Sequence, residues 1–282
     1  MQKKIVEKFQ ILFPHIFVTS IEQHEGAQNY VIEINNEWMC KVAKPNTPQE
    51  LFATEITLLN FLKNKLSTQI PEIIFHDESI LIYKKLNGKP LTTDSITIMS
   101  FEQKQNLAQD IAQFLHELHK QPVYNLDLPG SDWPYSPHKL QSFGELITPY
   151  PQLKEIFQTF IQEYMHIKKE VSYIACIHND INLGNIIVDE EYRLIGIIDF
   201  TDACIDDIWL DLRVRFNNDA ELQTLITKAY CTLQNIPLHP TKIWIYYIAA
   251  EFSRFVQSIE NNNTETLPVI SQRIINSWQE RL

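Results

Sequence analysis

The spacing of apolar residues along the chain predicts helices, most clearly between residues 100 and 120. Apolar residues recur there three and four positions apart, at Leu107, Ile111, Phe114, Leu115 and Leu118, which is the period of a helix with one buried side. Ser100 and Gln103 occupy the two positions of a capping box at its start. The same reasoning predicts helices at 2–13, 48–66, 152–170, 207–216, 219–234, 240–260 and 266–281.

Short β-rich runs bounded by turn residues predict the strands. They lie at 16–21, 29–34, 37–43, 73–75, 80–83, 173–177, 186–188 and 194–198. Residues 121–151 are rich in proline and predict an irregular insert. Strands and one helix therefore dominate the first part of the chain, and helices dominate the rest. This order predicts an α+β fold with a small antiparallel sheet followed by a larger, mostly helical region.

Composition and charge narrow the class of protein. The chain has 282 residues, of which 44% are hydrophobic and 21% charged, and its net charge is −11. This acidity argues against a nucleic-acid partner, which requires a basic surface, and suits a cationic one. The four cysteines are widely spaced, and neither a signal segment nor an apolar run of membrane-spanning length is present. We therefore expect a cytoplasmic protein with no membrane partner.

The candidate chemistry is concentrated between residues 178 and 199. His178, Asp180 and Asn185 follow the predicted strand at 173–177, and Asp199 ends the predicted hairpin that comes next. Asp180 can accept or orient the proton of a substrate hydroxyl. Asn185 and Asp199 offer oxygen ligands of the kind that Mg²⁺ prefers. This set of residues indicates phosphoryl transfer from a nucleotide.

With these residues, the chain resembles an aminoglycoside phosphotransferase of the kinase-like superfamily over nearly its whole length. It looks most similar to the 2''-phosphotransferases. The segments that carry this similarity are His178-Asn179-Asp180, Gly196 to Ala203, Ile34 to Trp38 and Tyr83 to Leu91. The resemblance implies a bilobal protein-kinase-like fold, with an N-lobe at residues 1–87 that binds the nucleotide. It implies a C-lobe at residues 88–282 that holds the catalytic loop and the substrate.

The resemblance also implies the nucleotide-binding residues. Lys41 lies on the third predicted strand, where the family has its nucleotide lysine, and Glu55 is its expected helix partner, with Glu50 as the competitor. Asn29 follows the turn expected to cover the phosphates, and can equally be a simple turn residue. The segment from Lys84 to Gly88 is expected to be the hinge. We therefore assign nucleotide binding to Lys41, Glu55, Asn29, Tyr83, Lys84 and Leu86, with ATP or GTP as donor.

Residues around Asp199 favour a small-molecule kinase over a protein kinase. The tripeptide Asp199-Phe200-Thr201 lacks the glycine of the D-F-G motif, and the chain has no A-P-E tripeptide. His178 is expected to brace the catalytic loop through hydrogen bonds, and Asp211 to hold the same loop. Asp202 and Glu251 are the candidates for contact with substrate ammonium groups. For Glu251, a partner such as Arg254 or a residue of another helix is the alternative.

The substrate follows from the resemblance and the charge together. We expect a monomer that phosphorylates a hydroxyl of an aminoglycoside antibiotic and thereby confers resistance. Another small alcohol, such as a macrolide, choline or homoserine, is the first alternative, and Trp133 and Tyr135 could serve an apolar macrolide pocket. A nucleotide-binding protein without catalysis is the second alternative.

Overall fold

The computed structural model describes residues 2–26, 29–44, 49–130, 137–170, 173–213 and 219–281. Its helices are α1 (Gln2–Leu12), α2 (Gln49–Leu62), α3 (Thr93–Ile98), α4 (Phe101–His119), α5 (Pro137–Ile147), α6 (Pro151–Ile167), α7 (Ala220–Gln234), α8 (Pro240–Glu260) and α9 (Leu267–Gln279). Its strands are β1 (Ile21–Glu25), β2 (Asn29–Ile34), β3 (Trp38–Ala43), β4 (Ile73–His76), β5 (Ile80–Lys84), β6 (Lys89–Pro90), β7 (Ile174–Ile177), β8 (Ile186–Val188), β9 (Leu194–Ile197) and β10 (Cys204–Asp207). None of the described helices is both long and apolar enough to span a membrane.

The N-terminal sheet has two faces with different roles. Its strands run antiparallel in the order β1-β2-β3-β5-β4. One face packs against α1 through a cluster formed by Ile5, Phe9, Ile32, Ile34, Trp38, Cys40, Ile80 and Ile82. Since side chains alternate along a strand, Lys41 and its β5 neighbour Leu81 lie on the opposite face. The sheet therefore presents Lys41 towards the rest of the molecule.

The strand expected at 16–21 is wrong, because β1 begins only at Ile21. The preceding residues bond instead to the side chain of Asn35, whose Oδ1 accepts from the Thr19 amide at 2.7 Å and whose Nδ2 donates to Phe17 O at 2.7 Å. Ile16 and Val18 pack against the α1 cluster. These two apolar residues are therefore explained by packing beside a helix and not by pairing in a sheet.

The C-terminal part contains the larger core, into which α4, α6, α7 and α8 all contribute buried residues. The predicted capping box of α4 is present, with the Gln103 amide donating to Ser100 Oγ and the Ser100 amide to Gln103 Oε1. The irregular insert is a wrong prediction over Pro137–Ile147, which forms α5. Apolar residues that include Leu140, Phe143 and Ile147 give this helix a buried side. Trp133 and Tyr135 lie outside the described residues.

The helix predicted at 207–216 is also wrong over residues 207–213, and residues 214–216 lie outside the described part of the chain. Residues up to Asp207 form β10, which pairs antiparallel with β7, and a short 3₁₀ turn follows at Ile208–Leu210. The strand partner is about thirty positions earlier in the chain, so local periodicity could not reveal this pairing. The strands β6, β8 and β9 form a further small sheet, in which the β8–β9 hairpin has the predicted arrangement.

Candidate active site

Lys41 of the N-terminal sheet contacts both α2 and the segment that follows β9. Its ammonium group is 3% exposed and donates to Glu55 Oε2 and to Asp199 Oδ1, both at 2.7 Å. It also donates to the Thr201 hydroxyl at 2.7 Å. Burial alone would lower the pKa of Lys41, but the Glu55 and Asp199 carboxylates outweigh it and raise that pKa above its ordinary value. The lysine therefore stays charged in a buried site.

Glu55 links α2 to the segment after β9. Its carboxylate is buried and, besides binding Lys41, accepts from the Phe200 amide at 3.3 Å and from the Thr201 hydroxyl at 3.1 Å. The structure thus brings together the lysine and the glutamate that the sequence pairs. The competing side chain, that of Glu50, lies outside the described residues.

Asp199 lies in a backbone conformation that is unusual for its residue type. Its φ angle is 66°, in the left-handed region that non-glycine residues rarely adopt. This conformation directs the Asp199 carboxylate to Lys41 and to the Thr201 hydroxyl, each 2.7 Å away. Burial would raise the pKa of Asp199, but Lys41 and Thr201 lower it to about 2. Asp199 is therefore a carboxylate at any physiological pH.

The loop from His178 to Asn185 is hydrogen-bonded to the residue that precedes Asp199. His178 Nε2 lies 3.1 Å from Ile198 O, and the Ile198 amide donates to Asn185 O at 3.0 Å. His178 Nδ1 accepts from the Asp180 amide at 3.2 Å. These bonds fix the position of the loop relative to Asp199, which is the bracing expected for His178.

Asp180 is held by two asparagine side chains. Nδ2 of Asn182 and Nδ2 of Asn185 donate to Asp180 Oδ2, at 2.9 and 3.0 Å. The side chain of Asn185 has one other polar atom, its oxygen Oδ1. Together with the Asp199 carboxylate it forms an oxygen donor set that suits Mg²⁺, a hard cation. The residues present therefore fit a magnesium site.

Asp211 binds the backbone of the loop that begins at His178, and His119 in turn contacts Asp211. Asp211 accepts from the His178 amide at 2.9 Å and from the Asn179 amide at 2.6 Å, and His119 Nε2 lies 3.0 Å from its carboxylate. Tyr230 completes the chain of contacts, with its hydroxyl 2.5 Å from His119 Nδ1. The role expected for Asp211 agrees with these bonds. His119, the last residue of α4, thus contacts two side chains from the C-terminal part of the chain.

Two aspartates near Asp199 have partners within the protein. Asp206 pairs with Lys168 at 3.1 Å, and Asp207 pairs with the fully buried Lys242 at 2.8 Å. The acidity of this stretch of sequence is therefore largely neutralised internally. Asp202 is half-buried, and its backbone carbonyl accepts from Asn179 Nδ2 at 3.2 Å. It lies beside the catalytic loop, where the sequence places a border of the acceptor site.

Glu251 does not present an open carboxylate. It is buried on α8, where Arg254 of the same helix donates to it and Arg273 of α9 lies 3.0 Å away. The alternative left open by the sequence, an arginine partner, is thus the one that the structure shows. The structure therefore favours this alternative over contact between Glu251 and the substrate.

The remaining predicted nucleotide residues lie along the sheet. Tyr83 is buried on the same face as Lys41, and burial raises its pKa above the ordinary value. Lys84 pairs with Glu37 and covers the ring of Trp38, so its side chain is engaged at the surface. Asn29 is buried at the start of β2, and its Oδ1 has no hydrogen-bond partner. An unpaired buried amide at this end of the sheet is consistent with a ligand contact.

Thr201 is the residue that sequence reasoning missed. Its hydroxyl contacts Lys41, Glu55 and Asp199 at once. The sequence showed only that a glycine was absent from this position. A small hydroxyl residue two positions after Asp199 was the available signal, and its contacts depend on side chains distant in the sequence.

Comparison with known proteins agrees with this geometry. The family model described as "Phosphotransferase enzyme family" (APH) matches residues 18–235. The GDP and kanamycin complex of APH(2'')-IIIa is 21% identical with a TM-score of 0.84, and the match covers 98% of this chain and 99% of that chain. The ADP-bound aminoglycoside phosphotransferase APH(2'')-Ib is 21% identical with a TM-score of 0.75, and the match covers 98% of both chains.

A macrolide enzyme has the same fold. Macrolide 2'-phosphotransferase MphH from Brachybacterium faecium is 14% identical with a TM-score of 0.67, and the match covers 95% of this chain and 96% of that chain. At such identities the likeness is one of fold. The predicted α+β, protein-kinase-like fold is confirmed by these matches.

Proposed function

The chain belongs to the phosphotransferase enzyme family, and from this premise we propose that it transfers the γ-phosphoryl group of Mg²⁺-bound ATP or GTP to a hydroxyl of an aminoglycoside. One observation supports the chemistry above all others. Lys41 Nζ joins Glu55 and Asp199, while the loop bearing Asp180 and Asn185 is hydrogen-bonded to the residue before Asp199. This arrangement supports the assignment of these five residues to phosphoryl transfer.

Each side chain has a distinct task in this proposal. Lys41, held by Glu55, binds the nucleotide phosphates, and its charge is secured by the two carboxylates that raise its pKa. Asn185 and Asp199 would hold Mg²⁺, which would supply positive charge to offset that of the phosphates. Asp180 orients the acceptor hydroxyl and takes its proton. Because the transition state is loose, positioning of that hydroxyl contributes more than strong basicity.

The cationic acceptor is supported by the acidic chain and by similar proteins. The net charge of −11 favours approach of a polycation. Two of the similar structures are aminoglycoside enzymes, one of them with kanamycin bound. Asp202 remains our candidate for contact with an acceptor ammonium group, because it is half-buried beside the loop that bears Asp180.

The test is nucleotide consumption with ATP and with GTP, measured against kanamycin, gentamicin, a macrolide, choline and homoserine. We expect turnover with the aminoglycosides. Asp180→Ala should lower kcat by about 10²- to 10⁴-fold, the usual contribution of a positioned acid or base, while the nucleotide still binds. Asp94→Asn, which alters an exposed carboxylate in the first turn of α3, serves as the control and should leave kcat unchanged.

Each alternative predicts a different result. Turnover with only a macrolide, choline or homoserine, lost in Asp180→Ala, would retain the mechanism and reject the aminoglycoside. Nucleotide binding without turnover on any acceptor would favour the non-catalytic alternative. Full activity of Asp180→Ala would exclude the role that we assign to this residue.

A further inference from the structure

Two glycines lie where the segment after β5 packs against the β8–β9 hairpin. A Cβ atom on Gly88 would lie 2.7 Å from Ile187 Cγ2 and 2.7 Å from Val188 O. A Cβ atom on Gly196 would lie 2.4 Å from Leu86 Cδ1 and 2.6 Å from Gln69 O. Non-bonded atoms do not approach each other this closely. Both positions must therefore lack a side chain, and only glycine does. We call this contact the glycine seam, formed by Gln69, Leu86, Gly88, Val188 and Gly196.

Backbone hydrogen bonds join the loop at Gln69 to β9 across the glycine seam. The Gln69 amide donates to Ile195 O at 3.2 Å, and the Ile197 amide donates to Gln69 O at 3.0 Å. Two residues earlier, the Ser67 amide and hydroxyl donate to the Glu117 carboxylate on α4 at 2.6 and 2.8 Å. The loop after α2 is therefore bonded to the C-terminal part at two separate points.

The glycine seam joins the elements that carry the phosphoryl-transfer groups. The loop bonded at Gln69 follows α2, which carries Glu55. The hairpin begins directly after Asn185, and Asp199 comes two residues after its end. Leu86 follows β5, which pairs with the β3 strand that carries Lys41. A displacement at the seam would therefore move Lys41 and Glu55 relative to Asn185 and Asp199.

We propose that the glycine seam positions the two halves of the active site against each other, with Gly88 and Gly196 as positioning residues. Lys41 and Asp199 are in contact at 2.7 Å, so the two halves are aligned with each other at this point. An added methyl group at Gly196 must push Leu86 and the Gln69 backbone away from β9. This inference rests on the proposed function for its readout in turnover.

The experiment compares Gly196→Ala with Gly144→Ala. Gly144 lies within α5, and its Cβ would meet nothing closer than Phe157 Cε1 at 3.6 Å, so this variant should keep its activity. For Gly196→Ala we expect kcat to fall by about tenfold or more, because small displacements of reacting groups are costly. The dissociation constant for Mg-ATP or Mg-GTP should rise several-fold, since the nucleotide contacts both halves.

A rescue variant separates positioning from simple loss of stability. Leu86→Val removes the Cδ1 atom that would clash with the added Cβ. The loss of kcat caused by Gly196→Ala should therefore be smaller when it is measured in a Leu86→Val background than in the wild type. Gly88→Ala provides a second test should Gly196→Ala not fold. A folded Gly196→Ala with kcat and nucleotide affinity within twofold of the wild type would overturn the proposal. A variant that loses melting temperature but keeps kcat per folded molecule would do the same.

Failure of the proposed function gives a different pattern. In that case the wild type turns over no acceptor, and nucleotide affinity by calorimetry becomes the readout. Weaker binding of Mg-ATP or Mg-GTP in Gly196→Ala than in Gly144→Ala would still support the glycine seam. Equal binding in the two variants would reject it.

Discussion

Lys41 has partners 14 and 158 positions away in the chain. The first, Glu55, was the helix partner that the family resemblance implied. The contact with Asp199 was not predicted, and neither was the left-handed backbone of that residue. A φ angle of 66° at an aspartate is imposed by the surrounding structure and not by local preference.

Asp199 makes a pH-dependent contribution to stability. Its pKa falls from the ordinary 3.8 to about 2 in the folded protein, so folding favours the charged form. The contribution is fully present above about pH 4 and is lost as the pH falls towards 2. We therefore expect the wild type to exceed Asp199→Asn in free energy of unfolding from pH 7 to 4, with the difference shrinking below pH 4.

Urea unfolding of both proteins across this pH range measures that difference. Asp189→Asn, in the turn of the β8–β9 hairpin, controls for general loss of a carboxylate. A difference that grew as the pH fell would contradict the sign of the pKa change.

At the scale of elements, α8 and α9 illustrate how packing decides the task of a side chain. Glu251 lies on the buried side of α8, where Arg254 donates a hydrogen bond to its carboxylate and Arg273 of α9 forms an ion pair with it at 3.0 Å, without hydrogen-bond geometry. The sequence showed an acidic residue in an apolar helix and offered Arg254, three positions later, as one possible partner. Only the contact between the two helices identifies Arg273.

Glu251→Gln should therefore weaken the fold and not the substrate site. The side chains of the two arginines are 57% and 40% exposed. Water therefore screens the positive charge that each would keep after the carboxylate is removed. We expect a loss of about 1–3 kcal/mol in free energy of unfolding, the cost of a buried polar contact left unsatisfied. The KM for the acceptor should not change. Urea unfolding and steady-state kinetics measure these two quantities.

Two variants sharpen that comparison. Glu260→Gln, at the exposed end of α8, should change neither quantity. Asp202→Asn should raise the KM for a cationic acceptor. A raised acceptor KM in Glu251→Gln at full stability would return Glu251 to the substrate site.

At the scale of the whole molecule, the proposed nucleotide site combines residues that lie far apart in the chain. Lys41 belongs to the N-terminal sheet and Asp199 to the segment after β9, so a ligand that binds both must stabilise the folded state. At a nucleotide concentration of about 100 times its dissociation constant, mass action adds roughly 2.7 kcal/mol to the free energy of unfolding. We expect Mg-ATP or Mg-GTP to raise the melting temperature, and EDTA to abolish most of that rise.

Thermal unfolding with nucleotide, with and without EDTA, tests this expectation. Asp199→Asn should lose the magnesium-dependent part of the rise, whereas Asp94→Asn should keep it. A rise in melting temperature that EDTA leaves intact would exclude Asn185 and Asp199 as magnesium ligands in the nucleotide complex.

The sequence by itself determined what depends on local order. The period of α4 and its capping box, the β8–β9 hairpin, and the spacing of Asp180, Asn185 and Asp199 all follow from residues close together in the chain. These features led to the fold class and to the candidate site, because helix periodicity, turn chemistry and motif spacing operate over a few residues.

The tertiary structure alone decided what depends on partners distant in sequence. β10 became a strand because β7 offered a pairing edge, and segment 16–21 did not, because Asn35 and the α1 cluster engage its first residues. The same holds for the ion pairs of Asp206, Asp207 and Glu251 and for the closeness of Leu86 to Gly196. Charge pairing and steric fit are properties of the space between elements, which local patterns do not encode.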